Sequence, residues 1–351
     1  MQLLVRSRPT EYVWKIPIRR SSRPPQILES IQIQQAAKHS TTIATMTTKI
    51  RITESTNRGK LTAIEDPESI LHERITFIQN TVETADATGV VVNLSGNVDS
   101  TVTAKLAVEA LGNESVDGLI FSANTSCKED IADAQAVASE LNIDVQTIDI
   151  QPVLTSFVQT TATDEMRFTP SDPLLSPRSR TVVVNPIETK SNHHKAMENV
   201  AARIQMMFAY FEANTSSRLV LGNSTRTELL TGHFTKFGNG GVDLFPLGDL
   251  YKTEVLDLAR SLDVPQKIVE KEPTVEIWKD QTDASEHGAS YETIDAILQQ
   301  LVDDQQSVEQ AADTLSVDSE LVAACAELYT TTAHKRTFPP TPAEHSSEKK
   351  S

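Results

Sequence analysis

The chain has 351 residues, of which 38% are apolar and 5% aromatic, and it carries a net charge of −16 at pH 7. That is enough apolar residue for one large domain or two small ones, and no stretch is apolar over the length a bilayer-spanning helix needs. A body this acidic repels polyanions, which argues against a nucleic-acid-binding surface.

The charge is unevenly spread. Residues 1–50 hold eight Lys/Arg and two acids, a balance of +6, so residues 51–351 carry −22. Such a balance resembles the acidic surfaces that keep proteins soluble in concentrated salt. The basic, acid-poor first 45 residues read either as a transit peptide or as a non-native extension, with Met46-Thr-Thr-Lys as the true start. Disorder or loose structure is expected over residues 1–60. Cys127 and Cys325 sit in no CxxC pair and near no His cluster, which argues against a disulfide framework or zinc site and fits a reducing cytoplasm.

From Pro67 to Ala85 the apolar residues Ile70, Leu71, Ile75, Ile78 and Val82 recur at helical spacing. Val90–Leu94 is a strand of the buried type, and Thr101–Leu111 the next helix. Strands follow at Gly118–Ser122 and Val145–Ile150, with helices at Glu129–Leu141 and Pro152–Thr163. Residues 164–195, with Pro170, Pro173, Pro177 and Pro186 among Ser, Thr and Arg, predict a long loop. A helix over Glu198–Ala213, a strand over Leu219–Gly222 and a helix over Leu250–Leu262 come next. Ser290–Lys335 is helical, and the tail 339–351 is polar and expected to be disordered. Alternating strands and helices predict a parallel sheet, five-stranded or similar, covered on both faces.

Two lookalikes offer less than they suggest. Val308–Leu328 has the outline of a helix-turn-helix, but Asp318, Glu320 and Glu327 stand where a DNA-reading helix would be basic, so a packed helical hairpin is expected. His193-His194 resembles a metal pair, but adjacent side chains diverge and the surroundings are polar, so it reads as solvated.

The informative stretch is Asn93-Leu94-Ser95-Gly96-Asn97-Val98-Asp99-Ser100, between a strand and a helix. Backbone N–H groups of such a turn converge on an anion, and the following helix adds its positive end. Ser95, Gly96 and Ser100 are small enough to let a phosphate approach. Asn97 stands where a second glycine would be more comfortable. Asn reaches positive φ more readily than most residues, so it is expected to turn the backbone there.

This stretch resembles the SGGxDS loop of the pyrophosphatase-type ATPases, which cleave ATP between its α and β phosphates. Residues 222–254, GNSTRTELLTGHFTKFGNGGVDLFPLGDLYKTE, resemble the central signature of ammonia-dependent NAD synthetases. So do Glu272-Pro273-Thr274, Gly288-Ala-Ser-Tyr291 and His334-Lys335-Arg336. The resemblance covers roughly residues 65–340. It implies a Rossmann-like α/β fold of the adenine nucleotide alpha hydrolase kind, over a domain at 61–338 with a helical C-terminal extension.

The resemblance also implies a reaction. The nicotinate carboxylate of deamido-NAD attacks the α phosphate of ATP and pyrophosphate leaves. Ammonia then displaces AMP from the acyl-adenylate. ATP would contact Asn93, Leu94, Ser95, Gly96, Asn97, Val98, Asp99, Ser100, Asn223, Lys252 and Thr274. Mg²⁺ would be held by Asp99 and Glu228, both expected to be partly exposed in a cleft. Arg203, Lys236, Asp243, His334 and Lys335 would bind deamido-NAD. No residue is assigned to acid–base chemistry. A cytoplasmic homodimer binding deamido-NAD across its interface is implied, with neither nucleic acid nor membrane as partner and with no amidase domain.

Taken singly, Asp99 reads equally as a helix N-terminal charge, Glu228 as a solvated helix residue and Lys252 as a surface lysine. Three asparagines depart from the family pattern: Asn93 and Asn97 stand for glycines, and Asn223 stands for threonine. Another SGGxDS-type ATP pyrophosphatase, or a nucleotide-binding regulator without turnover, are the alternatives.

Overall fold

The computed structural model describes residues 66–124, 126–161, 188–271 and 289–340, with 188–194 as backbone alone. All of these lie in one compact unit, Ser55–Ser351. The expectations for the first 60 residues, for Met46 and for the tail from 341 fall outside them.

Helix α1 (Pro67–Thr84) begins where its sequence says it should: Asp66 accepts the Ser69 N–H at 3.1 Å, and Pro67 occupies the first helical position, where a missing N–H costs nothing. Its Ile78 and Val82 are buried. There follow β1 (Val90–Asn93), α2 (Val98–Leu111), β2 (Val116–Ser122), α3 (Lys128–Leu141), β3 (Asp144–Asp149) and α4 (Gln151–Thr161). Beyond the undescribed stretch come α5 (Glu188–Ser216) and β4 (Leu219–Leu221).

The four strands form one parallel sheet in the order β3-β2-β1-β4, with Val90 opposite both Val116 and Leu219. Four strands, not five, are found among the described residues; a lone bridge from Leu221 to Leu244 extends the far edge. Strand alternation divides the core. Val90 and Val92 pack with Val102 and Leu106 of α2 and Val137 of α3. Val91, Leu119 and Val220 face the opposite way, onto Ala209 and Ala213 of α5. Helices therefore cover both faces, as parallel strands require.

The expected loop at 164–195 does not extend to its end, because residues 188–195 are already helical. After Pro186 the sequence has neither Pro nor Gly until Gly222, so nothing interrupts the helix.

The remaining elements are α6 (Arg226–Thr231), α7 (Lys252–Ser261), α8 (Gln266–Val269) and α9 (Tyr291–Leu298), which runs on into a π-helical turn at Gln299–Asp303. Last come α10 (Val308–Leu315) and α11 (Ser319–Thr331). These two form a hairpin closed over Ile297, Leu301, Ala311, Val322 and Cys325, the packed hairpin expected of the helix-turn-helix lookalike. Strands β2 and β3 lie to one side of β1 and β4 to the other. The strand order thus reverses at β1, and in open α/β sheets the crevice at that switch point is where ligands bind.

Candidate active site

At the switch point the chain leaves β1 through Leu94, whose N–H still bonds the Leu119 carbonyl at 2.8 Å, and turns at Gly96. Gly96 has φ +76°, and a Cβ there would lie 2.2 Å from the Asp130 carbonyl oxygen. Glycine is thus required twice over, by conformation and by the close approach of α3.

Asn97 does not make the turn expected of it. Its φ is −101° and ψ 170°, and it caps α2, its Oδ1 accepting the Ser100 N–H at 3.0 Å. The residue type signals both roles, since Asn is favoured at positive φ and also at helix N-caps. Here Gly96 supplies the turn and Asn97 supplies the cap. Ser100 is fully buried; its Oγ lies 3.2 Å from both the N and the Oγ of Ser95, so the loop is cross-linked through its own hydroxyls.

Asp99, in the first turn of α2, is only 4% exposed, as is Lys252 at the start of α7. Their Nζ and Oδ2 are 2.5 Å apart. The expected part-exposure of Asp99 is therefore corrected: this is a buried ion pair between residues 153 apart in sequence. Its other oxygen, Oδ1, is buried without a hydrogen-bond partner.

Glu228 is not a solvated helix residue. It closes a capping box on α6, its Oε2 accepting the Thr225 N–H at 2.9 Å while the Glu228 N–H faces Thr225 Oγ1. Burial first, and then the neighbouring Asp99 charge, push its carboxyl above the ordinary glutamate range, against the pull of Lys252. Two carboxylates and one ammonium therefore crowd one spot.

The two carboxylates line a cavity of about 260 Å³. Ser95, Asn97, Asp99 and Glu228 are among its polar lining, and Asn93, Asn223 and Asn239 line it as well. Phe121, Met206, Ala209, Val220 and Val242 form an apolar wall between the sheet and α5. Asn223 Nδ2 donates to the Asn93 carbonyl at 2.7 Å, which fixes the amide and leaves Oδ1 buried without a partner. The three asparagines that depart from the family pattern thus meet in one place. Leu94 and Val98 are buried beneath the loop rather than facing the cavity.

The five residues expected to hold deamido-NAD are not part of the cavity lining, although Arg203 and Asp243 adjoin Ala202 and Val242, which are. Three of them, Arg203, Lys236 and His334, form a chain of contacts. Arg203 Nε donates to the Lys236 carbonyl at 3.3 Å; Lys236 Nζ donates to the carbonyls of His334 and, at 3.3 Å, Thr337. Lys335 Nζ donates to the carbonyls of Gly232 at 2.8 Å and Phe234 at 3.0 Å. Burial and the adjacent Arg336 lower the Lys335 pKa. His334 Nδ1 lies 3.1 Å from the Thr331 carbonyl. Asp243 stands apart, accepting the Val220 N–H at 2.7 Å and the Tyr210 hydroxyl at 3.1 Å. Thr274, with Glu272-Pro273 and Gly288, lies outside the described residues, and so do the side chains of His193 and His194.

Sequence reasoning missed several participants. Thr225-x-x-Glu228 is a legible capping box. Tyr291, whose ring centroid is 5.7 Å from Lys252 Nζ, lay within a recognised motif but was given no role. Thr227, Thr253 and Asp295, which brace these helices, carried no signal of their own.

A family model for NAD synthase matches residues 70–339. The NH(3)-dependent NAD(+) synthetase of Halobacterium salinarum is 37% identical over 266 residues, covering 76% of this chain and 90% of its own. That of Pyrococcus furiosus is 37% identical over 272 residues, covering 78% and 93%. Among solved structures, the NMN synthetase of Francisella tularensis matches with a TM-score of 0.60 at 29% identity, over 80% of this chain and 99% of that one. The NH3-dependent NAD synthetase of Campylobacter jejuni, in complex with the nitrate ion, matches with a TM-score of 0.61 at 25% identity, over 80% and 100%. The loop, its paired carboxylates and the cavity they face therefore sit in a chain that belongs to the NAD synthase family.

Proposed function

We infer that the chain is a ligase that amidates deamido-NAD to NAD with ammonia, consuming ATP and releasing AMP and pyrophosphate. The observation that carries this reading is the convergence of Ser95, Asn97, Asp99 and Glu228 on one cavity, with Lys252 paired to Asp99 behind it, in a member of this family.

A nicotinate carboxylate is a poor acyl donor until it is adenylated. Catalysis of that step is largely a matter of holding two anions in line and stabilising the departing pyrophosphate. Ser95, Gly96 and Ser100 would receive the phosphates, with the first-turn N–H groups of α2 that have no partner inside the helix. Lys252 would add a point charge, and Asn93, Asn97 and Asn223 would contact the nucleotide. Thr274 keeps its proposed ATP contact.

The donor set fits a divalent hard cation. Asp99 Oδ1 is buried and unpartnered, and Glu228 is raised by an adjacent carboxylate; a cation would relieve both. Among the described residues no cluster of three or more potential ligands exists. Two carboxylates suit Mg²⁺, which commonly takes one or two of them together with substrate phosphates. When bound, Mg²⁺ would neutralise phosphate charge. Arg203, Lys236, His334 and Lys335 would hold deamido-NAD once their carbonyl partners are exchanged for ligand, and Asp243 once it exchanges a donor partner for a ligand hydroxyl or N–H.

Helix α5 presents Met207 at 56% and Phe211 at 66% exposure, one helical turn apart. We propose that this face joins two copies in a homodimer, which sedimentation would report as a species of twice the chain mass. The exposed Cys127 and buried Cys325, both free, fit a reducing compartment, and we propose the cytoplasm.

Purified chain with ATP, Mg²⁺, deamido-NAD and ammonium should give NAD, AMP and pyrophosphate, with glutamine a poor substitute for ammonium. ADP and phosphate would contradict the adenylation chemistry, and nucleotide binding without turnover would favour a regulator. Because one structural relative is named an NMN synthetase, nicotinate mononucleotide is the competing acceptor. Faster amidation of that compound would move the reading to it.

A further inference from the structure

The two helices that carry Glu228 and Lys252 are short; Glu228 lines the cavity, and Lys252 pairs with Asp99, which also lines it. Neither is fixed by its own length, yet their first turns must keep a common register if both side chains are to face one ligand. Two carboxylates from the C-terminal extension grip both. Asp295, on α9 and fully buried, accepts the Thr227 hydroxyl of α6 at 2.5 Å; it also accepts the N–H and the hydroxyl of Thr253 of α7, both at 2.9 Å. Thr227 Oγ1 in turn accepts the Lys252 N–H at 2.9 Å. Eight residues on, Asp303 in the π-helical turn pairs with Arg226, the first residue of α6, and accepts the Tyr251 hydroxyl at 2.8 Å, Tyr251 being the N-cap of α7.

Each carboxylate thus spans from the start of α6 to the start of α7, and the bonded residues flank Glu228 and Lys252 in sequence. We propose that Asp295 and Asp303 are paired positioning residues that lock α6 and α7 in register, so that the metal carboxylate and the phosphate lysine are presented together. The C-terminal extension is then a brace for the ATP site, and the proposal rests on the function inferred above. Acceptor-only carboxylates suit the task, since every group aimed at Asp295 is a donor. An asparagine there would turn an NH₂ toward one of those donors.

The test compares Asp295→Asn and Asp303→Asn with wild type. One readout is the rise in melting temperature on adding ATP with Mg²⁺, which needs no turnover; the other is kcat for NAD. Each variant should fold, as judged by circular dichroism and a cooperative melt. Each should lose most of the ligand-induced shift, and kcat should fall about tenfold or more, the scale of small displacements of catalytic groups. The KM for deamido-NAD should stay within about twofold of wild type, which is negligible against the tenfold-per-1.4 kcal/mol scale.

Thr227→Ser keeps the hydroxyl and should behave as wild type. Thr227→Val should match Asp295→Asn, and the double variant should lose no more than either single one, as members of one network do. If the aspartate variants do not fold, Thr253→Val and Tyr251→Phe each remove one bond while leaving the carboxylates in place, and the same readouts apply. Folded variants with wild-type ligand shift and kcat would overturn the proposal, however far the melting temperature had fallen. A wild type that shifts with ATP and Mg²⁺ yet forms no NAD would sink the function inferred above and leave the brace to be judged on the shift alone.

Discussion

Asp99 and Glu228 line the cavity and, with Lys252, are turned on one another, with a carboxylate oxygen left unpartnered. Outside the cavity lining, Arg203, Lys236 and Lys335 place their donors on carbonyls of their own chain. The first group concentrates negative charge, which a cation would relieve and which, without one, favours a proton on Glu228. The second is satisfied as it stands, so a ligand must displace internal partners to engage it. The two regions should respond differently to the same kind of change.

The largest difference is expected on removing a carboxylate. Asp99→Asn or Glu228→Gln should cut turnover about 10²-fold or more, the scale of losing one transition-state stabiliser, while leaving the KM for deamido-NAD near wild type. Steady-state kinetics with each substrate varied checks this, and wild-type turnover in either variant would contradict the assignment. Asp99→Ala should also destabilise the fold by ~3–5 kcal/mol, because it strands a buried ammonium; urea unfolding would show it.

In the second group the effect should be smaller and fall on binding. Arg203→Ala and Lys236→Ala should each raise the KM for deamido-NAD about tenfold, as for one charge-assisted hydrogen bond, and leave the KM for ATP unchanged. A matching rise in both constants would erase the distinction between the regions.

A pH titration sharpens the comparison further. Glu228 is held above its ordinary value of 4.5 by burial and by Asp99. In the absence of Mg²⁺ the folded chain therefore keeps a proton that the unfolded chain has lost. Stability should fall as pH rises from about 4.5 through the raised pKa. Glu228→Gln should flatten that part of the slope. The part due to Asp295, which burial pushes up to about 6, should remain between about pH 4 and 6, the window set by its unfolded and folded values. Urea unfolding at a series of pH values separates the two.

The smallest effect belongs to Asn97. Replacing it with Gly removes an N-cap at a cost of a few tenths of a kcal/mol, and replacing it with Val costs ~1 kcal/mol. Asn97→Gly also frees the Ser100 N–H for a phosphate, so ATP should bind unchanged or slightly more tightly. Calorimetric titration of ATP into both variants measures it.

The strand, glycine turn and helix around Ser95–Ser100 were legible because local pattern fixes them: a β-branched run, one small turn residue, then helical spacing. Asn97 was misread because one residue type serves two local purposes, and only the backbone of its neighbour decides between them. The Asp99–Lys252 pair links residues 153 apart, and no local rule reports such a meeting; the loop and the signature singled out one residue each but did not show that they touch. Asp295 and Asp303 were silent for the same reason: an acid on a helix looks solvated until the fold brings hydroxyls and N–H groups to it. The first turns of α5 were missed because a proline-rich stretch was extended past its last proline.

The central claim is that the acceptor carboxylate is adenylated before the nitrogen arrives, and oxygen labelling tests it most directly. Deamido-NAD carrying ¹⁸O in both carboxylate oxygens should be converted with ATP, Mg²⁺ and ammonium, and the AMP analysed by mass spectrometry. Attack of that carboxylate on the α phosphate transfers one labelled oxygen to each AMP and leaves one in the amide of NAD. Unlabelled AMP alongside NAD, or ADP and phosphate in its place, would contradict the account.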